Sequence, residues 1–256
     1  MKRYNEELDA LFTDWETISE ENGLLGFCKD GLIFKGQFFS TINANGIKHW
    51  SRHPGNEDEQ WDTASKRILF LLKDPNKNPE ADMRQWVSRQ NSKIIRNRFF
   101  KTIALLLFGL DSIQKNGDFV CFKDANIPEK VSLAYDTIPF AIVNCKKESG
   151  GGKISNNVLL NYVSKYGNYL KNQIEILNPN IIICGGGGGA ILKIVMETIY
   201  PDFKFQNIND WVYYNKDNNI TLIDSWHPSN FTISYEEFYT DMMEAFQEHL
   251  KILNER

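Results

Sequence analysis

Four short apolar runs interrupt an otherwise mixed pattern: residues 67–73 (RILFLLK), 138–144 (IPFAIVN), 180–184 (NIIIC) and 220–225 (ITLIDS). Each is rich in Ile, Leu, Val or Phe without polar alternation, which suits strands buried on both faces of a parallel sheet. Between and after them the apolar period lengthens to three and four. Leu159, Tyr162, Val163, Tyr166, Leu170, Ile174 and Leu177 make one stripe over 156–177, and Phe238, Met242, Phe246, Leu250 and Leu253 make another over 235–253. These spacings predict amphipathic helices. Ser234, with Glu237 three residues on, reads as the capping box that opens the second. Strands alternating with helices predict an α/β fold of three layers, αβα, around a central, mainly parallel four-stranded sheet. Residues 1–62 begin as a helix and continue through a stretch dotted with Gly23, Gly26, Gly31, Gly36, Gly46 and Gly55. They are expected to form an irregular or hairpin-rich N-terminal extension of a single domain spanning 1–256.

In layered α/β folds, ligands gather beyond the carboxyl ends of the parallel strands. The first run ends in Lys73-Asp74-Pro75-Asn76 and the second in Asn144-Cys145-Lys146-Lys147. The third ends in Gly185 and its glycine neighbours, and the fourth leads into Trp226-His227-Pro228-Ser229. A carboxylate, an amide and an imidazole are therefore expected on one rim. Taken singly, each has a plain structural explanation: Asp-Pro opens turns, Asn turns a chain, and a His beside Pro is commonly a packed loop residue. Their joint position after successive buried strands singles them out.

A net charge of -4 excludes a protein that coats nucleic acid through bulk electrostatics, because that mode needs a basic surface. A local patch would suffice, and residues 83–110 carry Arg84, Arg89, Lys93, Arg96, Arg98 and Lys101 with no acid. Arg89, Lys93 and Arg96 fall at helical spacing and predict a basic stripe for phosphates; the alternative is a solvated helix face opposite Ile95, Phe99, Ile103 and Leu106. The cysteines, Cys28, Cys121, Cys145 and Cys184, are too scattered for a zinc ribbon or a disulfide framework, and no metal or other cofactor is expected. No apolar run has the length to cross a bilayer, and the N-terminal stretch is acidic, so a cytoplasmic protein without membrane contact is expected.

The order strand, Asp-Pro; strand, Asn; strand, Gly; strand, His-Pro-Ser resembles the uracil-DNA glycosylase superfamily from about residue 67 to the C-terminus. The family's water-activating loop has the form Gly-Gln-Asp-Pro-Tyr or Gly-x-Asn-Pro-Gly, and the similar stretch here is Leu72-Lys73-Asp74-Pro75-Asn76. Its base-reading Asn and the polar, glycine-containing loop that follows are similar to Asn144 and the loop holding Gly150, Gly151, Gly152, Lys153 and Ser155. Its third strand ends in Gly, as Cys184-Gly185 does here. Its last loop, His-Pro-Ser-Pro-Leu-Ser, is similar to His227-Pro228-Ser229-Asn230-Phe231-Thr232, with Asn230-Phe231 in place of Pro and the duplex-wedging Leu.

The resemblance implies hydrolysis of the glycosidic bond of a flipped or free nucleobase, uracil or another altered base. The partner would be nucleic acid, DNA in the first place, or a nucleobase-containing small molecule. Asp74 would orient water and stabilise the sugar cation, and His227 would stabilise negative charge on the departing base. Asn144 would read the base with the donor and acceptor of its amide. Trp86, Phe99 and Trp226, with Phe100 and Phe231 as further candidates, would sandwich the base. Gly150, Gly151, Gly152, Lys153, Ser155 and Ser229, with Arg89, Lys93 and Arg96, would meet phosphates. Two other readings stay open. One is a non-catalytic module on the same fold that captures a nucleobase or nucleic acid. The other is a dinucleotide-binding protein, since Gly185-x-Gly187-x-x-Ala190 fits that fingerprint, although neither Asp202 nor Asp210 closes a clear strand as the acidic partner should.

Overall fold

The computed structural model describes residues 2–43, 45–76, 80–90, 94–151, 153–186 and 188–254. In chain order the elements are α1 (Tyr4–Glu21), β1 (Gly31–Leu32), β2 (Phe38–Ile42), β3 (Lys48–Arg52), α2 (Glu57–Thr63), β4 (Ile68–Leu72), α3 (Arg98–Ser112), α4 (Phe122–Ala125) and α5 (Pro128–Thr137). They continue with β5 (Phe140–Asn144), α6 (Asn156–Leu177), β6 (Ile181–Gly185), α7 (Ala190–Ile194), β7 (Gln206–Asn207), β8 (Val212–Asn215), β9 (Ile220–Ser225) and α8 (Tyr235–Asn254).

The four apolar runs are the contiguous centre of the main sheet. Its order is β1-β5-β4-β6-β9-β8-β7, and β5, β4, β6 and β9 pair in parallel. The expected four-stranded sheet is thus the parallel core of a mixed, seven-stranded one. The additions are antiparallel: β1 on β5, β8 on β9 and β7 on β8. Two of them are only two residues long, too short to show any period.

Alternate residues of each central strand feed two separate cores, which is why no polar alternation appears in the sequence. Leu69, Leu71, Val143, Ile182, Cys184 and Leu222 meet residues of α1, α6 and α7 on one face. Ile68, Phe70, Phe140, Ile142, Ile183 and Ile223 meet residues of α3, α5 and α8 on the other. Helices therefore cover both faces, and every residue of β4, β5 and β6 is buried. Each fully buried Leu, Ile or Phe contributes about 1.5–3 kcal/mol. The two long helices follow the predicted stripes. Ser234 caps α8 through Oγ, which accepts from the Glu237 N–H at 3.0 Å.

The described residues of 1–62 are integral to the domain and not an extension of it. Leu8, Phe12 and Trp15 of α1 and Trp61 of α2 are fully buried in the first core, and β1 joins the sheet. The Trp61 indole N–H donates to the Leu177 carbonyl at 2.7 Å, which satisfies the ring's polar edge in the interior. Outside the main sheet, β2 and β3 form a hairpin with Ser40 opposite Trp50.

The predicted basic helical stripe is not found. Among the described residues of 86–97 no helix forms, and α3 begins only at Arg98. Gln90 is held as loop by Trp50, whose backbone N–H donates to Gln90 Oε1 at 2.5 Å. Arg89 is turned toward α5, pairing with Asp136 at 2.7 Å. Lys93 lies outside the described residues.

Candidate functional site

The carboxyl ends of β4, β5 and β9 open on one cavity of about 380 Å³. Asp74, two residues beyond β4, lines it together with Asn144, the last residue of β5, and His227, two residues beyond β9. Trp50, Met83, Trp86, Phe99 and Phe100 complete the apolar wall, and Ser229 lies at its edge. Trp86, Phe99 and Phe100 pack edge to face, with centroids 5.3–6.1 Å apart.

His227 is fixed as a neutral donor. The Ser229 backbone N–H donates to Nδ1 at 3.0 Å, so Nδ1 is the acceptor and the proton of the neutral ring resides on Nε2. Burial, and then the charge of Lys73, push the imidazole down to about 4. The Phe99 ring stands 5.9 Å from it. Gly186 makes room for this loop: it has φ +86, and a Cβ there would lie 2.8 Å from His227 Cβ.

Asp74 sits in a turn closed by the glycine loop. The Gly150 N–H donates to the Asn76 carbonyl at 2.8 Å, and a Cβ on Gly150 would stand 3.1 Å from Asp74 Oδ2. Burial raises the Asp74 carboxyl above the usual range, while Lys146, the Asn76 backbone N–H and Lys73 work in the opposite direction. Lys73 also donates to Asn156 Oδ1 at 2.8 Å.

Asn144 has less to offer than an amide ordinarily does. Its Nδ2 donates to Asp30 Oδ2 at 3.0 Å and lies 3.5 Å from Met83 Sδ, and its backbone N–H donates to the same Asp30 oxygen at 2.8 Å. The expected donor-and-acceptor pairing with a base is therefore corrected to an acceptor alone. Oδ1 is buried and has no hydrogen-bond partner. Behind it, Asp30 Oδ1 accepts from Lys147 Nζ at 2.5 Å and Gln173 Nε2 at 2.8 Å, and Lys147 Nζ lies 5.0 Å from the Trp15 ring. All of these polar groups are buried.

The other candidate residues fall in several places. Trp226 is not in the pocket: it packs edge-on against Trp211 and Phe238 and lines a neighbouring recess with Asp210 and Asp224. Phe231 is exposed. Ser155 is a helix cap, its Oγ accepting from the Val158 N–H at 3.3 Å. Gly151 and Lys153 are exposed, and Gly152 lies outside the described residues. Arg89 and Arg96 border a recess that shares Val87, Gln90, Asn97 and Phe100 with the main pocket.

Sequence reasoning missed Trp50 and the Asp30–Lys147–Gln173 group. Lys147, three residues beyond a buried strand, carried only a faint signal, and nothing local points to Asp30. The dinucleotide fingerprint sits in an atypical crossover. After β6 the chain passes through α7 and then the antiparallel β7 and β8 before β9 pairs with β6 in parallel, so the next parallel strand comes later than in the usual βαβ unit. Gly187 of that fingerprint lies outside the described residues.

Neither a protein-family model nor a curated protein matches the chain. Among the described residues no group of His, Cys, Asp and Glu is arranged to hold a metal, and no helix is long and apolar enough to cross a membrane.

Proposed function

We propose that the pocket takes a nucleobase and hydrolyses its N-glycosidic bond, on a uracil-DNA glycosylase-like fold, with nucleic acid, DNA first, as the partner. The observation that carries this reading is the shared cavity of Asp74, neutral His227 and Asn144 beside an aromatic wall. Breaking the bond leaves a cationic sugar and an anionic base, so two opposite charges must be stabilised a few ångströms apart. Asp74, as carboxylate, faces the sugar and orients the attacking water. His227 Nε2–H meets the oxygen on which negative charge develops, and a neutral donor suffices. The base, once out of any stack, lies against Trp86 and Phe99 with its polar edge toward Asn144. Lys153, Ser229, Arg89 and Arg96 are candidates for backbone contacts.

One observation favours a second reading, a binder without catalysis. The charges of Lys146 and Lys73 act on Asp74 and offset the negative field that a sugar cation needs. Single-turnover release from single- and double-stranded oligonucleotides carrying uracil and other altered bases separates the two. Release that depends on Asp74 supports the glycosylase; binding of the same oligonucleotides with no release on any of them supports the binder.

A further inference from the structure

A turn of the Asn144 amide that brought Nδ2 into the pocket would set Oδ1 against Asp30 Oδ2 at the present 3.0 Å, acceptor facing acceptor. Asp30 cannot yield, because its other oxygen is held by Lys147 and Gln173 and the same Oδ2 also takes the Asn144 backbone N–H. The amide is locked, and its buried oxygen is left without a protein partner on a residue that lines the cavity. We propose that Asp30, acting through Asn144, is the specificity-determining residue of the pocket. It makes Asn144 an acceptor only, so the site takes heterocycles that present an N–H donor at that point, a lactam ring N–H or an exocyclic amine, and rejects a bare ring nitrogen. A carbonyl beside that N–H goes unread by Asn144, and a carbonyl on the His227 side is met by Nε2–H. The inference rests on the nucleobase reading of the pocket, and Asp30 is a positioning residue, since it does not touch the ligand.

The test is calorimetric binding of three N1-methylated bases, which carry no glycosidic bond to cut, to the wild-type protein. 1-Methyluracil has the N3–H. 1-Methyl-4-thiouracil keeps it but weakens the acceptor at C4, and 1-methyl-2-pyrimidinone has a bare N3 with no added bulk. The expected result is that the thio compound binds within about threefold of 1-methyluracil and the pyrimidinone about tenfold or more weaker, because a bare nitrogen leaves the buried acceptor unpaired. Equal binding of uracil and pyrimidinone compounds overturns the inference and leaves the nucleobase reading standing; no binding by any of the three removes both. In Asp30→Asn the side-chain amide can donate to Asn144 Oδ1 and let it turn, so the gap should shrink below about threefold. A full gap in folded Asp30→Asn overturns the role of Asp30. If that variant does not fold, the pair Asp30→Asn with Lys147→Met, which removes both buried charges, carries the same comparison.

Discussion

At the scale of single residues, His227 is set apart by the acceptor role of its Nδ1 and by a pKa pushed down to about 4. Its ring should stay neutral well below the usual histidine range. An NMR titration of the ring between pH 7 and 5 is expected to find His227 largely neutral throughout, so any acid loss of activity in that window belongs to another group. Protonation near the ordinary value of 6.5 would contradict the half-buried, Ser229-bonded geometry. Asp30 makes a different kind of claim. Asp30→Ala leaves Lys147 buried and unpaired, and such a loss typically costs about 3–5 kcal/mol, measurable as a shift of the denaturant midpoint. A change below about 1 kcal/mol would mean that the pair is not the closed unit described. His227 and Asn144 were legible as strand-end residues, but the Asp30 contact was not. Asp30 and Asn144 are far apart along the chain, and the antiparallel pairing of Gly31 with Ile142 helps to bring them together.

At the scale of elements, β4, β5, β6 and β9 were legible because strands buried on both faces keep an unbroken apolar run. The residues just beyond them were legible for the same reason: once the strands are known, their carboxyl ends are known. The basic stripe was not, because three cations at helical spacing cannot reveal that Gln90 is bonded to Trp50 and that Arg89 is already paired with Asp136. Replacing Arg89 and Arg96 with Gln should accordingly lower the slope of log affinity for oligonucleotide against log salt by about one, less than two full phosphate contacts would give. An unchanged slope removes this recess from the nucleic-acid path. The turn after β6 offers a cleaner test of loop geometry. In Gly186→Ala the new Cβ meets His227 Cβ while the backbone keeps a positive φ, a strain of about 1–3 kcal/mol. Ligand binding should weaken with the fold retained; unaltered binding would show that His227 is not held by this contact.

At the scale of the whole molecule, the first quarter of the chain is where sequence reading fell short. Its opening helix and a hairpin were expected, but not how they are used: α1 and α2 fill one core, β1 joins the sheet, the β2–β3 hairpin supplies Trp50 to the pocket wall, and Asp30 anchors Asn144. What went unread has a physical reason: a two-residue strand has no periodic signature, and the contacts that tie this quarter to the sheet and the pocket join residues far apart in the chain. Stability should also fall in acid through two imidazoles, the half-buried His227 and the buried His249. His227 and His249 are both depressed to about 4 by burial, so between about 6.5 and 4 the unfolded chain binds protons that the folded one does not, and stability declines as pH drops through that window. A flat stability profile there would contradict their burial.

The most direct measurement of the central proposal is single-turnover base release from oligonucleotides by the wild-type protein beside Asp74→Asn, His227→Ala and Asn144→Ala, with equilibrium binding measured in parallel. Glycosylase chemistry predicts release by the wild type, a loss on the order of a hundredfold in Asp74→Asn and His227→Ala with binding largely retained, and a loss of both rate and affinity in Asn144→Ala. Full-rate release by Asp74→Asn, or oligonucleotide binding with no release across uracil and the other altered bases, would contradict it.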